Sequence, residues 1–358
     1  MKAFLSVAAM VMTTIVAGGA DAAPKVPAAV ERWIEPGQPG DYRLHVHERH
    51  ASNLCGKPPV LLLHGYGVPT AMAFDVQGAS LMEHLAQTGR TSFAVDLPGF
   101  GKSQRPPEMN GAPIAGKPLI RAADVLSDVT RAVDYVQSVC PGTQVDVIGW
   151  SWGGVVAAMW ASTQPTALRR LILVDSMYSL HVPSITKLFA DPTNPDKVNP
   201  NLPSYNIVPV QAIADQWNGM LSTTGLSADA LRQPEVAEAV SKVFLESDAG
   251  RPSATAIRRP LGPIVDLFEI FSGRPIYDAS KVIAPTFVIH GDADNFSDIG
   301  MVTHFSQSCG RRELIVGDGT HYMIFEKSRH QVYAALDDYL SSDFPACGIR
   351  KKGVQHEN

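Results

Sequence analysis

Apolar residues in this chain fall in short unbroken runs, separated by longer stretches where they recur every third or fourth position. Residues 60–63 read Val-Leu-Leu-Leu and residues 92–95 read Ser-Phe-Ala-Val. Runs of this length without polar alternation predict strands buried on both faces. Residues 91–96, 145–148, 171–174, 286–289 and 314–316 read the same way, and 30–34 and 42–48 read as shorter strands around a Pro/Gly turn. Between them lie helical patterns. Residues 120–139 carry Ala122, Leu126, Val129, Val133 and Val136 on one face. Residues 152–161 place Val155, Val156, Met159 and Trp160 on one side, and 324–340 read as a final amphipathic helix. Strands alternating with helices predict the α/β class, a mostly parallel sheet with helices on both faces.

One region breaks the alternation. From Ser176 to about Asp278 there is no buried-strand run. It opens with six prolines between Pro183 and Pro209, which read as a long irregular segment, and helical patterns such as Ile213, Trp217, Met220 and Leu221 follow. A second Pro/Arg-rich stretch spans 251–263. Unstructured loops longer than about 15 residues are rare inside compact domains, so the insertion predicts a mainly helical cap.

The N-terminus has its own pattern. Met1 and Lys2 precede an apolar run at 3–17, and small residues follow at 18–23. This is the form of a cleaved secretory leader, with the cut after Ala22. The apolar run is short for a hydrocarbon core ~30 Å thick, so no stable membrane insertion is expected once the leader is removed. The expected organisation is a leader at 1–22, a core at 23–177, a cap at 178–278, the rest of the core at 279–348 and a polar tail at 349–358. The expected location is periplasmic or secreted. Apolar residues make up 45% of the chain, charged residues 18%, and the net charge is −5. These values fit a folded globular protein and argue against a nucleic-acid partner, which needs a basic face.

Candidate chemistry sits where strands end. Gly149-Trp150-Ser151-Trp152-Gly153-Gly154 follows a buried strand and opens a helix. A sharp strand-to-helix turn needs small residues two before and two after its apex, and it presents the apex hydroxyl of Ser151 as a nucleophile. A serine needs a base, and His321 stands in Gly317-Asp318-Gly319-Thr320-His321, between the last strand and the last helix. The base needs an orienting carboxylate. Asp294, three residues past Gly291, is the first choice, while Asp292 and Asp175 remain alternatives. Developing negative charge needs two backbone N–H donors, expected from Trp152 and from Tyr66 in Leu63-His64-Gly65-Tyr66-Gly67. His45, His47 and His50 are weighed as a metal site and set aside, the first two being read as strand residues with no clustered Cys or carboxylate beside them, and His290 is read as structural. Gly99-Phe100-Gly101-Lys102-Ser103 ends like a phosphate-binding loop, but Asp96 stands where that loop needs glycine.

Those motifs together with Asp96-Leu97-Pro98-Gly99-Phe100-Gly101 and Gly291-Asp292-Ala293-Asp294 resemble the capped α/β-hydrolase superfamily, from about Val30 to Leu340 outside the cap. The resemblance implies an eight-stranded sheet under a cap and no cofactor. Ser151-Trp152-Gly153-Gly154 is similar to proline iminopeptidases, epoxide hydrolases and haloalkane dehalogenases. Members of the last two carry aspartate at the nucleophile position, so Ser151 argues against their chemistry. The resemblance also brings Cys55 and Cys140 to one edge of the sheet and implies the pairs Cys55–Cys140 and Cys309–Cys347.

The activity so implied is ester cleavage by acyl transfer through Ser151, His321 and Asp294, on a small-molecule ester with an apolar acyl group. A prolyl aminopeptidase would use the same groups and add a cap carboxylate for the free amine, drawn from Glu235, Glu238, Glu246, Asp266 or Glu269. Carbon–carbon bond hydrolysis and silent small-molecule binding are further alternatives. Trp217, Met220, Phe244, Phe268 and Phe271 are candidate pocket residues, or packing residues of the cap. Arg258 and Arg259 read as solvated surface charges rather than groups that steer an anion.

Overall fold

A computed structural model describes residues 27–344 apart from 165 and 167. The expected leader at 1–22, the tail at 349–358 and Cys347 lie outside the described residues. Eight strands form one sheet: β1 (Val30–Ile34), β2 (Leu44–Arg49), β3 (Val60–Leu63), β4 (Ser92–Val95), β5 (Val145–Trp150), β6 (Leu168–Val174), β7 (Thr286–Gly291) and β8 (Arg312–Val316). Their order is β1-β2-β4-β3-β5-β6-β7-β8. The β1–β2 and β2–β4 pairings are antiparallel, and all the others are parallel. This is the expected eight-stranded, mostly parallel sheet.

Alternate side chains of the buried strands feed two cores. Leu61 and Leu63 of β3 join one core, with Val129, Val133 and Val136 of α2 (Leu126–Val139) and most of α3 (Trp152–Thr163). Val60 and Leu62 join the other, with Leu81, Met82 and Leu85 of α1 (Leu81–Gln87) and Val332, Leu336 and Leu340 of the last helix, Arg329–Ser341. Leu62 and Leu63 are fully buried, so neighbouring positions on a central strand both lie away from water. Cys55 is bonded to Cys140 with their Cα atoms 5.5 Å apart, which ties the loop before β3 to the end of α2. On the chain-entropy account, closing that loop contributes about 4 kcal/mol.

Two helical expectations shift at their edges. Ile120 has a φ of 64°, and Ala122–Val125 forms a 3-10 turn before regular helix begins at Leu126. The Asp124 carboxylate accepts the Arg121 N–H and starts that turn. The expected helix over 324–340 splits into a turn at Met323–Phe325 and a helix from Arg329, because the carboxylate of Glu326 is engaged with Thr320 instead.

The segment between β6 and β7 departs most from expectation. Its opening is not irregular. It forms α4 (Pro183–Phe189) and pairs Ala190–Asp191 with Asn194–Val198. Pro183 occupies the first helical turn, where a missing N–H costs nothing. Tyr205–Pro209 then pairs antiparallel with Ala256–Pro260, a strand pair that no apolar run announces. Both strands end in proline, which is tolerated at strand ends. Between them lie α5 (Val210–Leu221), α6 (Ala228–Leu231) and α7 (Pro234–Glu246), and α8 (Gly262–Phe271) follows. The last helix, Arg329–Ser341, is α9. No helix among the described residues is long and apolar enough to cross a membrane.

Candidate active site

Because β3 and β5 to β8 run parallel, the loops leaving their carboxyl ends gather at one edge of the sheet. Ser151 stands between β5 and α3 with φ 56° and ψ −127°, a conformation L-residues rarely adopt. The turn is held by a backbone approach that only glycine permits. A Cβ on Gly153 would lie 2.2 Å from the Leu63 carbonyl oxygen and 2.4 Å from that of His64. The β3 loop therefore presses on the start of α3. Gly65 sits against the serine itself, its would-be Cβ 3.0 Å from the Ser151 Cβ. His64 fixes this loop. Its Nε2 accepts the Leu97 N–H at 3.2 Å and its Nδ1 lies 3.0 Å from the Gly65 carbonyl. Burial lowers the His64 pKa, which favours the neutral ring those bonds require.

His321 reaches Ser151 from the loop after β8. Its Nε2 lies 2.8 Å from Ser151 Oγ, and its Nδ1 lies 2.9 Å from Asp294 Oδ2. All three side chains are buried. Asp294 is held in turn by the Phe296 N–H on Oδ1, at 2.8 Å. Asp292, one of the alternatives, is exposed. Asp175, the other, is fully buried at the end of β6 with φ 46°. It accepts the Gly291 N–H at 3.0 Å. Burial and then the neighbouring Asp294 carboxylate push its pKa well above the carboxylate range.

The two expected N–H donors, Trp152 at the first position of α3 and Tyr66 beside Gly65, have no protein acceptor among the described residues. The expected metal-free histidines have close partners. His45 meets Asp96 at 2.7 Å, and His47 meets Asp75 at 2.7 Å and Glu31 at 3.0 Å. Asp96, read as the residue that spoils a phosphate loop, accepts the Ala71 and Lys102 N–H groups and braces the turn after β4.

Residues 58–328 match the alpha/beta hydrolase fold family. The chain belongs to that family. Among curated relatives, it is 32% identical over 117 residues to the pimeloyl-[acyl-carrier protein] methyl ester esterase of Pseudoalteromonas atlantica, a match covering 33% of this chain and 36% of that protein. It is 30% identical over 119 residues to the abhydrolase domain-containing protein abhd-5.2 of Caenorhabditis elegans, covering 33% of this chain and 23% of that one. The chain thus spans well under half the length of these relatives. Solved structures share the fold over more of the chain. A thermophilic esterase from Thermogutta terrifontis aligns with a TM-score of 0.56 at 19% identity, covering 88% of this chain and 98% of that one. E-2-(acetamidomethylene)succinate hydrolase aligns with a TM-score of 0.59 at 16% identity, covering 88% and 100%.

Around this hydrolase-family site, several further side chains support these loops. Trp150 donates its indole N–H to the His321 carbonyl at 3.1 Å. Buried Glu326 accepts the Thr320 N–H and hydroxyl and also the indole N–H of Trp217 at 2.7 Å, so it couples the His321 loop to α5. Asp266 of α8 accepts the Ala122 N–H, the Arg121 guanidinium and the Trp152 indole N–H. Of the candidate pocket residues, Trp217 stacks on Tyr322 at 5.2 Å, and Phe271 meets Phe296, which edges onto His321 at 5.0 Å. Met220 and Phe244 pack in the core cluster that holds Tyr322 and Phe325. Phe268 is buried beneath the Arg274 guanidinium.

Arg258 and Arg259 are not solvated surface charges. Arg258 is clamped on buried Asp248 through Nε at 2.9 Å and Nη2 at 2.8 Å. Arg259 lies over the Tyr66 ring, 3.9 Å from its centroid, and donates to the Tyr66 carbonyl at 3.1 Å. Strand alternation sends the two neighbours to opposite faces, and the carboxylate that receives Arg258 lies ten residues back, where spacing alone does not reveal it.

Proposed function

We propose that this chain is an exported serine hydrolase that cleaves a carboxylic ester by acyl transfer. The observation that carries the reading is the unbroken line of hydrogen bonds from Ser151 Oγ through His321 to Asp294, at 2.8 and 2.9 Å, between residues 170 and 27 positions apart in the chain. His321 Nε2 takes the hydroxyl proton as Ser151 Oγ attacks the carbonyl carbon, and Asp294 holds the ring and the positive charge that forms on it. The N–H groups of Trp152 and Tyr66 receive the oxyanion, a contribution of about 3 kcal/mol per donor in such sites. The imidazolium returns its proton to the departing alkoxide. Water then attacks the acyl-enzyme by the same path and releases the acid.

An ester is favoured over a peptide amide with a free α-amine. Glu235, Glu238 and Glu246 are exposed, Glu269 pairs with Arg274, and Asp266 is engaged by Ala122, Arg121 and Trp152. None is both buried beside the nucleophile and free to hold an ammonium group. The aligned third of the chain is also similar to methyl ester esterases. The segment between β6 and β7 serves as the cap, since it touches the Tyr66 loop, Trp152 and the His321 loop. Export is supported by the leader pattern and by the Cys55–Cys140 bond, which suits an oxidising compartment.

The test is labelling with a fluorophosphonate probe followed by peptide mass mapping. Ser151 should carry the label. Ser151→Ala should lose it and lose ester turnover by about 10⁵-fold or more, with its melting temperature retained. Ester turnover that survives in Ser151→Ala would refute the assignment.

A further inference from the structure

We propose that Arg259, Asn206 and the Tyr66 hydroxyl form a carboxylate-binding subsite beside the nucleophile, so that the preferred ester carries a second, ionised carboxyl group. This rests on the serine-hydrolase reading and names the substrate class for that same site.

The placement follows from the strand pair of the inserted segment. Asn206 lies directly opposite Arg259, and Val208 opposite Ile257. Residues opposite one another, and those two apart along a strand, share a face. Val208 and Ile257 are buried in the cluster that holds Trp150, Trp217 and Tyr322. The face bearing Arg259 and Asn206 is therefore turned toward the carboxyl edge of the sheet. There the guanidinium covers the Tyr66 ring, and Gly65, the residue before Tyr66, packs on Ser151.

Polar groups on this face are incompletely matched. Arg259 Nε, Asn206 Oδ1 and the Tyr66 hydroxyl oxygen are all shielded from solvent and have no protein partner among the described residues. No carboxylate among the described residues lies within ion-pair distance of Arg259, whereas the adjacent Arg258 is fully engaged by Asp248 and by the Met109 carbonyl. A buried donor left unmatched is destabilising, and a guanidinium more so. One planar anion would satisfy the cluster. The Arg259 fork donates to it, the Tyr66 hydroxyl donates to it, and a half-turn of the Asn206 amide presents its NH₂. Burial raises the Tyr66 pKa, which keeps that hydroxyl a donor. A phosphate monoester would fit less well, because its second charge would face one guanidinium and two neutral groups.

The experiment compares matched ester pairs that differ in one charge. On the acyl side, p-nitrophenyl glutarate is set against p-nitrophenyl pentanoate. On the alcohol side, 3-acetoxypropanoate is set against propyl acetate. Wild-type protein should prefer the charged member of one pair by at least tenfold in kcat/KM, and the pair that shows the preference tells which half of the ester carries the carboxylate. Arg259→Gln should lower that preference at least tenfold, Arg259→Lys should keep part of it, and Arg259→Glu should reverse it. Free glutarate should inhibit wild-type turnover of the neutral ester and inhibit Arg259→Gln less. A wild-type preference at or below one in both pairs overturns the proposal while leaving the hydrolase reading intact. So does a preference that Arg259→Gln leaves unchanged, or rates that fall equally on charged and neutral esters in every variant. Absence of both Ser151 labelling and turnover overturns the hydrolase reading and this proposal with it.

Discussion

At the carboxyl edge of the sheet, neighbouring loops meet through backbone. The start of α3 presses on the Leu63 and His64 carbonyls, and the Ala293 N–H bonds the Gly319 carbonyl across the β7 and β8 loops at 2.9 Å. The segment between β6 and β7 has backbone ties too, in the paired strands 205–209 and 256–260 and in the approach of Gly262 to the Leu119 carbonyl, but it adds buried contacts that run through charged and aromatic side chains. Asp248 neutralises Arg258, Trp217 donates to Glu326, and Asp266 ties α8 to Arg121 and Trp152. Backbone contact restricts which residue type can stand at a position, so it writes glycines and apolar runs into the chain. Side-chain contact needs only two suitable partners, and they can be far apart.

The largest effect expected from breaking this contrast is at Gly153. In Gly153→Ala the new methyl meets two carbonyl oxygens that belong to β3 and cannot swing away as a side chain would. The expected cost is about 3 kcal/mol or more, together with loss of fluorophosphonate labelling because the Ser151 turn is displaced. Thermal denaturation and labelling measure both. A variant that melts like wild type and still labels would show that backbone approach is not what holds the edge.

A smaller effect is expected in the inserted segment. Asp248 is fully buried and faces Arg258 and Arg105. Asp248→Ala leaves two guanidinium groups without their counter-charge, a loss of about 2–3 kcal/mol given their partial exposure. Its signature should differ from that of Gly153→Ala, because the folded fraction should still label at Ser151. If labelling and melting fall together in both variants, the two regions are one cooperative unit and the contrast is wrong.

This contrast also explains what could be read from the residues alone. Ser151 and His321 were legible because a strained turn and a strand-end loop each demand a particular neighbourhood, and the central strands β3 to β7 were legible because buried parallel strands are continuous in apolar residues, whereas β1 and β8 are largely exposed. Asp294 was separable from Asp292 only as a preference, since two residues on one loop differ in which way the turn carries them. The pairing of 205–209 with 256–260 left no trace, because Asn, Arg and Pro interrupt the apolar positions of each strand and its partner lies about fifty residues away. Arg258 and Arg259 are the sharpest case. They are the same residue type at consecutive positions, and only the fold gives one a carboxylate and leaves the other facing the site.

Asp175 is a further side-chain tie inside the edge, beside those of His64 and Trp150, and it yields the smallest predicted effect. Its Oδ1 accepts the Gly291 N–H, and burial beside the Asp294 carboxylate holds its pKa well above the carboxylate range. Asparagine keeps an oxygen for the Gly291 N–H and places an N–H where the acid holds its proton, so Asp175→Asn should keep kcat within about threefold. Asp175→Ala should lose about 1–3 kcal/mol of stability, since it leaves the Gly291 N–H unmatched. The asparagine variant also has a pH signature. The folded state holds the Asp175 proton far above the ordinary carboxylate pKa of about 4, whereas the unfolded chain releases it there. The stability that this proton confers is thus complete below about pH 4 and declines as pH rises toward the folded value. Asparagine has no proton to release. The stability of Asp175→Asn relative to wild type should therefore increase between pH 4.5 and pH 8, as read by denaturant midpoints at each pH. A difference that stays flat across that range would mean that Asp175 is ionised in the folded protein, and that Asp294 is held by the Phe296 N–H without help from a second carboxyl group.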